Sequence, residues 1–186
     1  MASVISICNK GLRYLGGEEI LSLEQESRGA RLCSQYYSEV RDELLEEHHW
    51  NFAARYIALA SLPAAPLFGF ARAYQLPADC LRVRRLRGNA DFEVVENRVL
   101  YSDAYPAEAV VTVRVTDPAR FPALFVEVLA RKLAAELAVP LMNSSRLEQS
   151  MMTKYINALE RAKAMDATEG AVDPDDTNEW VRARLW

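Results

Sequence analysis

Apolar residues recur at helical spacing in both end regions of the chain and at strand spacing between them. Val4, Cys8, Leu12 and Leu15 stand three and four apart, which predicts a helix from about Ser3 to Leu15. Gly16 and Gly17 supply its left-handed stop. A second helix is expected from near Ser22, where Ser22 and Gln25 make a capping-box pattern, to about His49. Ala30, Cys33, Tyr37, Val40 and Leu44 form a narrow stripe on it, suited to packing along another helix.

Residues 53–66 look like a transition, because Pro63 and Pro66 prevent a continuous helix. From about Phe70 to Thr116 the runs become short, β-branched or aromatic, with turn signals between them. A small antiparallel sheet is expected, with Val111, Val113 and Val115 on one face and Thr112, Arg114 and Thr116 on the other. Asp117-Pro118 predicts the start of a third helix that runs to about Val139 and is closed by Pro140. Phe121, Leu124, Phe125, Val128, Leu129, Leu133 and Leu137 give it a wide apolar face. A fourth helix is expected from Ser145, boxed by Glu148, with Leu147, Met151, Tyr155, Ala158, Ala162 and Met165 on one side and Gly170 as its stop.

These elements predict an α+β, mainly α fold: a four-helix bundle with a small antiparallel β insertion between helices two and three and an extended C-terminal arm. One domain spans 1–170, helical over 1–66 and 117–170 with the β insertion at 67–116, and the arm is 171–186. The arm begins acidic and then carries two tryptophans. Buried aromatics commonly anchor interfaces, so Trp180, Arg182, Arg184, Leu185 and Trp186 are expected to bind a partner.

Composition narrows the function. The chain has 186 residues, 51% of them hydrophobic, and a net charge of −4. That is ordinary for a folded protein and argues against a nonspecific nucleic-acid binder, which needs a broad basic face. No apolar run reaches the roughly 18 residues of a membrane span. Asn9, Lys10 and Arg13 interrupt the apolar start, so no signal peptide is expected. Cys8, Cys33 and Cys80 are widely spaced and read as free thiols in a reducing compartment.

Candidate chemistry is sparse. Within "DELLEEHHWNFA", Glu46 and His49 have the Glu-x-x-His spacing of di-iron bundles. Such a site needs two pairs, and the two histidines are adjacent, so they point apart on a helix. The stretch reads instead as a helix end, with histidines at the negative dipole terminus and Trp50 and Phe52 turning into the core. There is no nucleophile elbow, Walker loop or dinucleotide fingerprint, so no enzyme activity and no cofactor are expected. Arg82, Arg84, Arg85 and Arg87 form the one basic cluster. On a regular strand Arg82 and Arg84 share one face, and Arg85 and Arg87 the other. They read as an exposed sheet face, because no stacking aromatics interleave with them; contact with a polyanion is the alternative.

The N-terminal block resembles the tail tubular protein A family, the head-to-tail adaptors of short-tailed phages. The matching residues are Asn9, Leu12, Leu15 and Gly16, then Arg41, Asp42, Leu44, Leu45, His48, Trp50, Phe52 and Ala53 at the end of the second helix, and Leu76, Pro77 and Asp79 in a turn. Gly11 stands where the family usually has alanine and should weaken the first helix by up to about 1 kcal/mol. His49 stands where proline is common. The resemblance covers most of residues 5–140. It implies a structural protein of the virion, located at the head–tail junction after assembly in the host cytoplasm. Such a protein forms a homo-oligomeric ring, usually of twelve copies. Its partners would be the portal protein and a tail nozzle or tail tube protein, with genomic DNA passing through the channel without sequence-specific binding. A binding module for nucleic acid or a ligand, using the arginine cluster, is the alternative.

Overall fold

The computed structural model describes residues 2–96 and 98–169. Among them are four α-helices: α1 (Val4–Leu15), α2 (Arg28–Glu47), α3 (Ala123–Met142) and α4 (Ser145–Glu169). Between α2 and α3 lie seven strands: β1 (Ala54–Ala58), β2 (Ala60–Ser61), β3 (Arg72–Gln75), β4 (Cys80–Leu86), β5 (Glu93–Val95), β6 (Val99–Ser102) and β7 (Glu108–Val113). They form two antiparallel sheets, ordered β1-β7-β4 and β2-β3-β6-β5.

This corrects the expected four-helix bundle with a small β insertion. The β part is two sheets, and it begins at Ala54 rather than near 67. β1 lies in the stretch expected to be a transition, and at five residues it is too short to mark itself as a strand before the prolines that follow. It becomes a strand by pairing, Ala54 to Ala58 lying antiparallel to Thr112 through Glu108. The helices also depart from a regular bundle. α3 is the hub, packed against α1, α2 and α4. Its buried residues include Phe125, Val128, Leu129, Leu133 and Leu137, with alanines between them that let the other helices approach on several sides.

Local chemistry sets the helix ends. In α1, Ser3 and Ser6 cap each other reciprocally, and Gly16 turns left-handed at φ 74°. α2 starts five residues later than the Ser22 pattern suggests. The Gln25 side chain accepts from Leu21 N at 2.9 Å, and Ser27 is the cap, its Oγ accepting from Ala30 N at 3.2 Å. The loop before it is held by Asn9, whose amide donates to Ile20 O at 2.9 Å and accepts from Ile20 N at 2.8 Å.

Asp117-Pro118 opens only a short 3-10 turn, Pro118–Arg120. Pro122 disfavours helical backbone at Phe121, so α3 begins at Ala123. Pro140 does not close α3. It lies inside the last turn, where its missing N–H leaves the Glu136 carbonyl without that helical donor, and Asn143 ends the helix left-handed at φ 51°. The α4 cap is Ser144 rather than Ser145, with Leu147 N donating to Ser144 Oγ at 3.2 Å. Along α4 the buried stripe runs Met151, Tyr155, Leu159 and Ala162, and Met165 is exposed. Gly170 lies outside the described residues.

Three tyrosines tie the helices together in their neutral form. Burial and a hydrogen bond to Glu127 push Tyr14 up to about 12, and burial does the same to Tyr37. Burial and a hydrogen bond to Glu47 push Tyr155 higher still. A folded value above the unfolded 10 gives stability that is complete below pH 10 and lost as pH rises toward the folded value. On alkaline titration, the late ionisation of these tyrosines at 295 nm should coincide with loss of helical circular dichroism. Among the described residues, the buried Tyr37 hydroxyl has no hydrogen-bond partner. Tyr37→Phe should therefore move the alkaline midpoint upward. An unchanged or lower midpoint would contradict this.

Candidate functional site

Two irregularities in β4 shape a surface that carries clustered arginines. β4 pairs with the central strand β7, but its register shifts between Cys80 and Arg82 and again between Val83 and Arg85. The second bulge inserts Arg84 as an extra residue, which changes the facing of everything after it. Arg82 stands opposite Thr112, and Arg85 stands opposite Val110. Thr112 and Val110 are two residues apart on β7 and so share a face. Arg84 reaches the same face, its Nε donating to Thr112 Oγ1 at 2.9 Å. Arg87 also joins it, by an ion pair at 2.7 Å with Glu108, two residues beyond Val110. The expected two-and-two division of the arginines is therefore overturned: the bulge brings all four to one side of the sheet.

The far edge of that face is β1. Tyr56 pairs with Val110 in the same row as Arg85 and is 76% exposed. Val110 is almost covered, so Tyr56 and Arg85 stand as walls over an apolar floor. The groove between them measures about 410 Å³ and continues past Arg87 and Glu108. Sequence reasoning missed Tyr56. Nothing local marks it, since it meets the arginines only through β7.

Arg84 is fixed rather than swinging. Besides Thr112, its Nη2 donates to Trp50 O at 2.6 Å. Burial lowers its pKa, opposed by nearby Asp166. Arg82 reaches Glu46 O at 3.4 Å. Burial, Arg84 and Arg82 together hold His49 below its ordinary value. The positive character of this region is thus felt by a neighbouring titratable group.

Most of the block around "DELLEEHHWNFA" is tied into the packing of the helices and sheets. Arg41 is buried and bonded to Asp42, which also accepts from Arg114 Nε at 2.7 Å. Leu44 and Leu45 are fully buried. His48 ends α2 and meets Asp166 at 3.2 Å, joining α2 to α4. Trp50 is buried and its Nε1 donates to Leu44 O at 2.7 Å. Asp79, in the Leu76-Pro77 turn, pairs with Arg55. Glu46 and His49 are both exposed, and among the described residues no group of three or more His, Cys, Asp or Glu is arranged to hold a metal ion. Cys8, Cys33 and Cys80 are free thiols, the first two buried.

A second surface feature is the loop between β2 and β3. Leu67 is 99% exposed and Phe68 87%. Pro66 and the left-handed Gly69, at φ 90°, bracket them. The expected partner-binding residues Trp180, Arg182, Arg184, Leu185 and Trp186 lie outside the described residues.

Comparison with known families finds no family model that matches the chain, and comparison with curated proteins finds no match.

Proposed function

We propose that the protein is a structural head-to-tail adaptor that assembles as a ring beneath a phage portal and docks the tail. The observation that carries this reading is the Leu67–Phe68 tip. Two large apolar side chains almost wholly in water, held on a loop braced by proline, suit insertion into a neighbouring molecule. A contact made by a loop of one copy on a different surface of the next is heterologous, and such contacts close into rings when the rotation permits. The motif residues support the reading from the other side, since those described hold the helices to the sheets and leave the surface for association. Trp180, Arg182, Arg184, Leu185 and Trp186 are proposed as a second anchor, on the portal or on a neighbouring subunit.

The test mixes the purified chain with a candidate portal protein and follows assembly by electron microscopy and sedimentation. Wild-type protein should form rings on the portal. The Leu67→Ser, Phe68→Ser double variant should keep its circular dichroism and melting curve but fail to close rings. Removing residues 172–186 should leave the remaining fold intact and abolish portal docking. If neither change affects assembly, or if wild-type protein ignores the portal, the adaptor reading is wrong.

A further inference from the structure

We infer that the receiver for the Leu67–Phe68 tip is the groove on the β1-β7-β4 sheet of a second copy of this chain, with Tyr56 as one wall and Val110 in the floor. The inference deepens the adaptor reading, on which it rests only for the premise that copies touch. Leu67 and Phe68 are the only sequence neighbours among the exposed large apolar side chains of the described residues. Pro66 precedes them, and Gly69 turns left-handed behind them at φ 90°, so the backbone holds them out as a pair. From Ser61 to Ala71 the chain carries no charged residue. The tip can therefore enter a cleft without burying a charge of its own.

The groove matches the tip in size and chemistry. At about 410 Å³ it has room for one or two large side chains. Phe68 laid against Tyr56 covers two aromatic surfaces that each copy alone leaves in water. Arg87 and Glu108, paired at 2.7 Å, stand at one end and compensate each other there. The contact does not need Arg85 or Arg87 to be without partners, since a guanidinium bonded at its edge still offers a flat face to a ring. The tip lies on the β2-β3 connection and the groove on the other sheet, so one copy can give its tip and receive another's. Such head-to-tail contacts propagate into a ring or a filament. Area sets their strength. One Phe, one Leu and their receivers cover about 600–800 Å², below the roughly 1,200 Å² of the smallest stable interfaces. A single contact is therefore weak, and copies join at high concentration or on a template that holds them side by side.

The experiment mixes two full-length variants, each lacking one half of the contact. Leu67→Ser with Phe68→Ser removes the tip and keeps the groove. Ala58→Lys fills the groove and keeps the tip; position 58 is exposed and stands opposite Glu108, which can pair with the new lysine. Melting curves confirm that both are folded. Sedimentation is followed up to about 1 mM, where a contact of this size is occupied. Wild type should grow past a dimer, each variant alone should stay monomeric, and the equal mixture should stop at a dimer, because only one intact tip–groove pair can form. Disulfide trapping gives a second readout: Leu67→Cys mixed with Ala58→Cys, both also carrying Cys80→Ser, should cross-link between chains under copper phenanthroline, while Cys8 and Cys33 stay buried. The inference is overturned if wild type stays monomeric throughout, if either variant alone associates as wild type does, or if the mixture gives no dimer and no cross-link. Rings on a portal without the cross-link would sink this inference and leave the adaptor reading standing. A mixed dimer and cross-link from a chain that never joins a portal would do the reverse.

Discussion

Trp50→Ala lowers the unfolding midpoint by roughly 10 °C, the largest effect expected from any single substitution in this chain. Trp50 is 2% exposed and lies where the end of α2, the first sheet and α3 meet. Its ring stands edge-on to Phe125 with centroids 5.1 Å apart, and Phe52 and Phe121 complete the aromatic cluster. Truncation loses the transfer energy of a large ring and leaves a cavity, about 3–5 kcal/mol together. It also strips the indole N–H from Leu44 O, leaving that carbonyl without its donor at the helix end. Trp50→Phe keeps most of the apolar volume and loses only the N–H, so it should cost markedly less. Thermal unfolding followed by circular dichroism separates the two. Equal midpoints for wild type and Trp50→Ala would mean that the cluster does not hold the helices to the sheet.

Gly11→Val should be nearly as damaging, and Gly11→Ala close to neutral. Read from sequence, Gly11 is a weak point in α1, less favourable than alanine by up to about 1 kcal/mol. The packing changes that reading. A Cβ at position 11 meets Ala130 O at 3.2 Å, with Leu133 and Ala134 just beyond. Ala130 O is backbone of the central helix α3 and cannot swing aside. Alanine gains helix propensity and gives up a few tenths of an ångström of approach, so the two effects nearly cancel. Valine adds two methyls that force α1 away from α3, an overpacking cost of about 3 kcal/mol. Denaturant titration should show Gly11→Ala within about 0.5 kcal/mol of wild type and Gly11→Val well below it. If valine were tolerated, the close approach of α1 to α3 would be wrong.

Much of the helical part was legible. The stripe on α2 is buried as its spacing predicts, and so are Cys8, Leu12 and Leu15 of α1, with Val4 only half-buried, because a 3.6-residue period is a local property that any packing partner must respect. Helix ends were less legible. Ser22 and Ser145 make good caps on paper, but Gln25 bonds Leu21 N in the loop before α2, Ser27 takes the cap there, and Ser144 takes it on α4. Competing local bonds of similar energy cannot be ranked from spacing alone. The arginine face was the least legible. Its residue types were visible, but a single inserted residue in β4 reversed the facing of Arg85 and Arg87.

By itself the sequence determined which segments could be helices, most of the residues that α2 and α3 would bury, and that the middle of the chain would form strands. Those properties follow from periodicity and capping, which depend on neighbours a few residues away. Only the tertiary structure decided that the strands would make two sheets, that alanine-rich β1 would join one of them, and that Tyr56 would face Arg85 across β7. Such choices depend on which distant backbone supplies the missing hydrogen bonds, and a strand's register and facing exist only once its partner is in place.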